Sequence, residues 1–203
     1  SVRSLAANQP YATAVSLILN DSLTVSEKAV LHISNLKCVD NLLLDSLSLR
    51  VSLPQQVMAG DVVINEILFN PKDDGVDYIE ILNISDKVLD LSSLLVTKRK
   101  GDYFDVPVST TTRQALCFPG DYWVLTSDQA VVCAQFSCTP LAHFSEVAIP
   151  SMNDDEGSVV LVLRDGTVVD EFSYSAKMHH RFVINSEGVS LERVNPFRPT
   201  QAP

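Results

Sequence analysis

The chain has 203 residues, 46% hydrophobic and 20% charged, with a net charge of −10. That length suits one large or two small domains with a real core, and the composition is too apolar for disorder. An acidic surface repels phosphate backbones, which argues against nucleic-acid binding, and no run of about 18 apolar residues exists to cross a membrane as a helix.

The chain opens at Ser1 without Met, basic n-region or apolar h-region, and reads as an excised piece or mature fragment of a longer protein. Strands are expected over Ala14–Leu19 and Ala29–Asn35. Leu47, Leu49, Val51 and Leu53 alternate with Ser46, Ser48, Arg50 and Ser52, the period-2 signature of a half-buried strand. Pro54 and Gly60 then mark a linker. Three strands make a thin domain, so residues 1–58 read as the C-terminal part of a larger Ig-like domain or a linker region.

From Asp61 onward strands follow in quick order: Val62–Phe69, expected to be central, then Tyr78–Asn83, Leu94–Lys98, Tyr122–Thr126, Ser158–Leu163, Thr167–Tyr174 and Ser190–Val194. Arg164-Asp165-Gly166-Thr167 predicts a tight hairpin with a type I′ turn, and Pro119-Gly120 another turn. One short helix, Asp128–Gln135, is expected behind a Ser127 cap. The basic knot Lys98-Arg99-Lys100 reads as a solvated strand end. This pattern indicates an all-β sandwich or barrel.

The cysteines are Cys38, Cys117, Cys133 and Cys138, with no CxxC pair to suggest zinc. Cys133 and Cys138 are close enough to bridge, which needs an oxidising compartment; the alternative is a buried free thiol.

Several segments, in order, carry a family resemblance. "DVVINEILFNP" followed by Gly75–Ser85 resembles the opening of a lamin-tail domain: a strand with Asn-Glu-Ile, an Asn-Pro turn, then Asp-aromatic-aliphatic-Glu-aliphatic-x-Asn. Leu89–Val96, Pro119–Asp128, Ile149–His180 and Glu187–Pro196 resemble its later segments. The resemblance covers 59–203 and implies an Ig-like β-sandwich of the type found in bacterial secreted or surface multidomain proteins. "HISNLKCVDN" (His32–Asn41) resembles the end of bacterial Ig-like surface repeats, although Lys37 and Val39 depart from that pattern. The family continues to a Trp-containing segment, whereas "FRPTQAP" closes this sequence. Together these features imply a non-catalytic spacer, adhesion or protein-binding module of an extracellular or cell-surface protein. Its partners would be other domains of the same chain and a cell-surface protein or glycan. The alternative is a calcium-supported glycan-binding module accessory to a neighbouring enzyme.

No catalytic residue is expected: there is no G-x-S-x-G, P-loop or H-E-x-x-H. The adjacent His179 and His180 face opposite ways on an extended chain, and read as a polar loop. Nothing in the spacing supports pairing Cys117 or Cys138 with His143. No cofactor is expected. Asp154 and Asp155, and Asp73, Asp74 and Asp77, are calcium candidates by composition alone; neither run has EF-hand spacing, and both read as solvated turns. Trp123 reads as core. Glu66, expected on one face with Ile64 and Leu68, and Glu80, with Tyr78 and Leu82, interrupt apolar faces and need a partner. Arg193, on the face of Leu191, is expected to pair with Glu66 or Glu80 and lock the last strand to the first two. Asn65 is expected beside the strand's bonding edge and Asn83 as a turn former; Asn83-Ile84-Ser85 and Asn20-Asp21-Ser22 also match glycosylation acceptors.

Overall fold

A computed structural model describes residues 2–7, 15–37, 43–139 and 143–198. Cys38 and the end of the His32–Asn41 stretch lie outside them, as do Ala14 and the last five residues of the chain. The chain divides into two units, Ser1–Leu53 and Pro54–Pro203.

In the first unit, β1 (Val2–Ala7) pairs with β2 (Val15–Leu19), and β3 (Lys28–Lys37) with β4 (Leu43–Ser52). Ala29, Leu31 and Ile33 lie opposite Val51, Leu49 and Leu47, so apolar groups gather on one face of the second ribbon. Its other face pairs His32 with Ser48 and Ser34 with Ser46. A two-stranded ribbon cannot cover its own face, and Leu47 and Leu49 stay exposed.

The second unit begins earlier than the linker reading suggests. Gln55 donates to the Val88 carbonyl, and Val57 is buried in the core. Its strands are β5 (Val62–Leu68), β6 (Tyr78–Asn83), β7 (Leu89–Asp90), β8 (Leu94–Thr97), β9 (Arg99–Lys100), β10 (Tyr103–Phe104), β11 (Val108–Ser109), β12 (Leu116–Cys117), β13 (Tyr122–Thr126), β14 (His143–Glu146), β15 (Glu156–Leu163), β16 (Val168–Ser175) and β17 (Leu191–Glu192). One sheet runs β14-β13-β6-β5-β17, the other β11-β8-β15-β16; β7–β12 and β9–β10 form short ribbons. Ile64, Ile67, Ile79, Ile81 and Leu125 of the first sheet share one core with Leu94, Val96, Val159 and Leu161 of the second. This is an Ig-like β-sandwich.

The main departure from the expected periodicity is in β5. Ile64 pairs with Ile81 and Glu66 with Glu80, leaving Asn65 as an extra residue in a bulge. A strict period of two puts Ile64, Glu66 and Leu68 on one face. The bulge resets the phase, so Val62, Ile64 and Ile67 point into the core while Glu66 and Leu68 point outward. A smaller cluster covers part of that outer face: Leu68, Tyr78 and Val132, with Val124, Phe136 and Phe144 against them. Val132 and Phe136 come from α1 (Gln129–Gln135) and its C-cap. The N-cap is Asp128 rather than Ser127; its carboxylate accepts from the Val131 amide at 3.0 Å.

Two turns differ in kind. At the β15–β16 hairpin only Gly166 has a positive φ (87°), the Gly166 amide donates to the Leu163 carbonyl, and Leu163 donates to Thr167. That is a three-residue loop with a glycine bulge, where a type I′ turn needs two left-handed residues. At Pro119-Gly120 the expected turn forms, with Gly120 at φ 78° and the Asp121 amide donating to Phe118.

Candidate functional site

The register aligns three carboxylates across the outer face of the five-stranded sheet. Glu80 lies opposite Glu66, and Glu66 opposite Glu192. The first two are half-buried and the third exposed. Each inner carboxylate has a local donor. Tyr78 donates its hydroxyl to Glu66 at 2.5 Å, and Asn65 donates its side-chain amide to Glu80 at 2.9 Å. Burial, with Glu66 and Glu192 beside it, holds the Glu80 carboxyl above its ordinary range against the opposing Asn65 bond. Burial and the Glu66 bond raise the Tyr78 phenol. The bulge that turned Glu66 outward is what delivers Asn65 to Glu80.

Arg193 does not take either glutamate as the partner expected from the sequence. Its Nη2 donates to Asp170 Oδ2 at 2.9 Å and its Nε to the Ile64 carbonyl at 2.8 Å. The same Asp170 oxygen accepts the Ile64 amide at 2.8 Å. Both main-chain groups of Ile64 therefore bond to this one ion pair, on the stretch of β5 that the two-residue β17 leaves uncovered. The pair sits low in solvent, 10% and 12% exposed. The physical reason is the bulge: Glu66 faces outward, whereas Asp170, opposite the core residue Leu161, faces inward towards Ile64. Arg193 still ties the last strand to β5, since its amide donates to the Asn65 carbonyl. The other end of the tie is in the opposite sheet.

The acidic turns separate by environment. Asp73, Asp74, Asp154 and Asp155 are exposed. Asp77 is half-buried, contrary to the solvated reading; burial raises its carboxyl to about 6, with Asp154 adding to the rise and a long bond from the Met152 amide (3.4 Å) opposing it. Among the described residues, no group of three or more His, Cys, Asp or Glu is placed to hold a metal ion.

Trp123 packs against the core and stacks on His143, its neighbour on β14, with centroids 5.0 Å apart. His143 Nε2 lies 3.9 Å from Asp121. Cys138 is bonded to Cys133 (Cα–Cα 5.3 Å), while Cys117 is a buried thiol that donates to the Asp121 carbonyl at 3.8 Å. The two adjacent histidines diverge: His179 stacks on the core residue Phe69, and His180 lies tilted against Phe182. Asn83 is fully buried and donates to the Lys87 and Cys117 carbonyls, so its sequon is sealed inside a turn, whereas Asn20 is exposed. The basic knot is bonded, not merely solvated. Arg99 makes two bonds of 2.6 Å to Glu171, Lys100 pairs with Asp105 at 2.9 Å, and Lys98 donates to Ser151.

Sequence reasoning misses Asp170, although it interrupts the apolar face of β16 as Glu66 and Glu80 interrupt theirs. It also misses Tyr174, whose hydroxyl accepts the Asn153 amide and donates to the Asn153 carbonyl. Tyr174 lies over Gly157; a Cβ there would come within 2.5 Å of that hydroxyl.

Compared with known families, residues 55–176 match the model of the Lamin Tail Domain. The chain belongs to the lamin tail domain family. No curated protein matches it. In this lamin tail domain, β5, the bulge, the Lys72–Gly75 turn and β6 form the framework of an Ig-like structural or interaction module. The Asp170–Arg193 pair fastens the segment after 176 to that framework.

Proposed function

We propose that this chain is a non-catalytic, protein-binding module of a larger secreted or cell-surface protein of the bacterial type. Its family is an Ig-like one of structural and interaction domains. The observation that carries the reading is the segment after β16. Phe182, Ile184, Val194 and Phe197 are each at least 75% exposed. Bonds from Gly188 to Asn70 and from Arg193 to Asn65 and Asp170 hold that segment in place. Exposed apolar side chains on a bonded segment give a partner apolar area to cover, and a preorganised segment loses little entropy on binding. The Cys133–Cys138 disulfide supports an oxidising compartment. The glycan-binding alternative has less support, because Trp123 faces the core and the acidic turns present no metal-holding group among the described residues.

The test is cross-linking on the surface of the producing cell, followed by binding measurements with the purified partner. Replacing Phe182, Ile184 and Phe197 with Ser should weaken binding at least about tenfold, the scale of losing one anchoring contact. Unchanged binding, or turnover of a substrate by the wild-type chain, rejects the reading.

A further inference from the structure

β17 is the last strand of the five-stranded sheet, and its outer edge faces no strand of that sheet. Leu191 lies opposite Ile67 and Glu192 opposite Glu66, and the Arg193 amide donates to the Asn65 carbonyl. Main-chain groups of an antiparallel strand point alternately to one side and the other. Leu191 and Arg193 therefore direct theirs to β5, while Ser190 and Glu192 direct theirs outward. The side chains alternate as well. Leu191 packs on the core and Arg193 reaches Asp170, so Ser190, beside the Tyr78 hydroxyl, and Glu192 lie on the outer face of the sheet.

The edge is held extended and is not blunted. Gly188 is bonded to Asn70 on one side of β17 and Arg193 to Asn65 on the other. Natural sheets close an exposed edge with lysine, proline or a bulge, and neither lysine nor proline occurs between Gly188 and Val194.

Charge specifies what fits there. Glu80, Glu66 and Glu192 form a row across three strands, and all three are carboxylates. Glu66 and Glu80 have the neutral donors Tyr78 and Asn65, whereas Glu192 is exposed and has no ion pair among the described residues. Arg193, next in the chain, is spent on Asp170. Like charges opposed across strands weaken a sheet and opposite charges strengthen it. We propose that the outer edge of β17 takes an extended peptide as a sixth strand, with a lysine or arginine opposite Glu192 closing the row of carboxylates. The added strand runs antiparallel, the more stable pairing. This rests on the protein-binding reading and names the partner's chemistry: main-chain bonds supply affinity and the cation selects the sequence. A second copy of the chain fits less well, because two β17 edges paired about Glu192 would oppose two carboxylates.

The experiment is amide NMR titration of the whole 203-residue chain with short, end-blocked peptides of alternating Thr and Val that carry Lys or Glu at the centre. The Lys peptide should shift the Ser190, Glu192 and Arg193 amides at roughly millimolar affinity and bind about fivefold tighter than the Glu peptide. Methylating the main-chain nitrogen of that Lys removes the donor facing Glu192 and should abolish the shifts. Glu192→Lys, a change at an exposed side chain, should reverse the preference. Equal binding of the two peptides, a preference that the variant does not reverse, shifts that survive methylation, or no shifts up to about 20 mM overturn the proposal. Shifts that grow with protein concentration alone identify a second copy as the occupant and overturn it too. A silent β17 edge rejects the strand site even where cell-surface cross-linking finds a partner, so its failure is distinct from failure of the protein-binding reading.

Discussion

Arg193 and Asp170 meet across the two sheets at 2.9 Å and together occupy the amide and the carbonyl of Ile64. They do at one residue of β5 what a neighbouring strand would do. Removing either member leaves a buried charge and an open main-chain group. Arg193→Ala and Asp170→Ala should each cost about 3–5 kcal/mol in urea unfolding. The double variant should cost far less than the sum. A loss below about 1 kcal/mol in both singles, the scale of exposed pairs, would show that the pair is solvated in solution.

Tyr78 and Glu66 form a second local tie, on the outer face. Tyr78→Phe keeps the ring against Phe136, whose centroid lies 5.7 Å away, and removes only the hydroxyl. The expected loss is about 1.5–3 kcal/mol, the range for hydrogen bonds to charged groups. Adding Glu66→Gln should recover part of it, because the stranded group is then uncharged. No recovery in the double variant counts against the tie.

Gly157→Ala should destabilise by about 1–3 kcal/mol, since the new methyl overpacks against Tyr174. Tyr174→Phe is costly alone because Asn153 loses both bonds. Combined with Gly157→Ala, it should relieve part of the clash with the added methyl. Thermal unfolding of the four proteins checks this; strictly additive losses would show that the two residues do not touch.

Asp77 and His179 give opposite pH dependences. Asp77 has its carboxyl raised by burial to about 6, with Asp154 and Tyr174 the charged or titratable groups acting with it. Its protonated form is favoured by folding, so its contribution is full below the ordinary aspartate range and is lost as pH rises through about 6. His179 has its imidazole lowered by burial. Its contribution is full above the ordinary histidine value and is lost as pH falls below it. Asp77→Asn should therefore gain stability relative to wild type between about pH 4 and 7, and His179→Gln should flatten the acid limb. Denaturant midpoints against pH measure both, and a parallel offset at every pH would refute the assignment.

The disulfide closes a short loop at the end of α1, beside Phe136 and the cluster under it. Cys133→Ser with Cys138→Ser should lower stability by about 2 kcal/mol in the chain-entropy estimate. Hydrogen exchange should rise first at Val132 and Leu68, while the main core keeps its protection. Uniform loss of protection across both sheets would contradict a local role.

Much of the fold is legible in the residues. Alternation in β4, the run in β6 and the Asp-Gly hairpin announce strands because side chains there need only two faces. The ordered segments from Asn65-Glu66-Ile67 to Leu191-Glu192-Arg193 carry the family. What periodicity cannot carry is a change of phase inside a strand. Nothing about the letters around Asn65 marks it as the inserted residue, and every inference that counts through it puts Glu66 on the wrong face. The partner of Arg193 is misassigned for that reason, while Asp170 passes unnoticed in a strand that reads as ordinary core. The two-residue strands β7, β9, β10, β11 and β12 are too short to show a period at all.

The extra residue in β5 is spare length in an otherwise regular ladder. Ile64 already lies opposite Ile81, Glu66 opposite Glu80 and Ile67 opposite Ile79, so deleting Asn65 would close the ladder with every face kept and take away the donor to Glu80. What the bulge adds is a side chain and not a phase: it places a neutral amide beside a half-buried carboxylate that the two regular strands alone would leave to face Glu66 and Glu192.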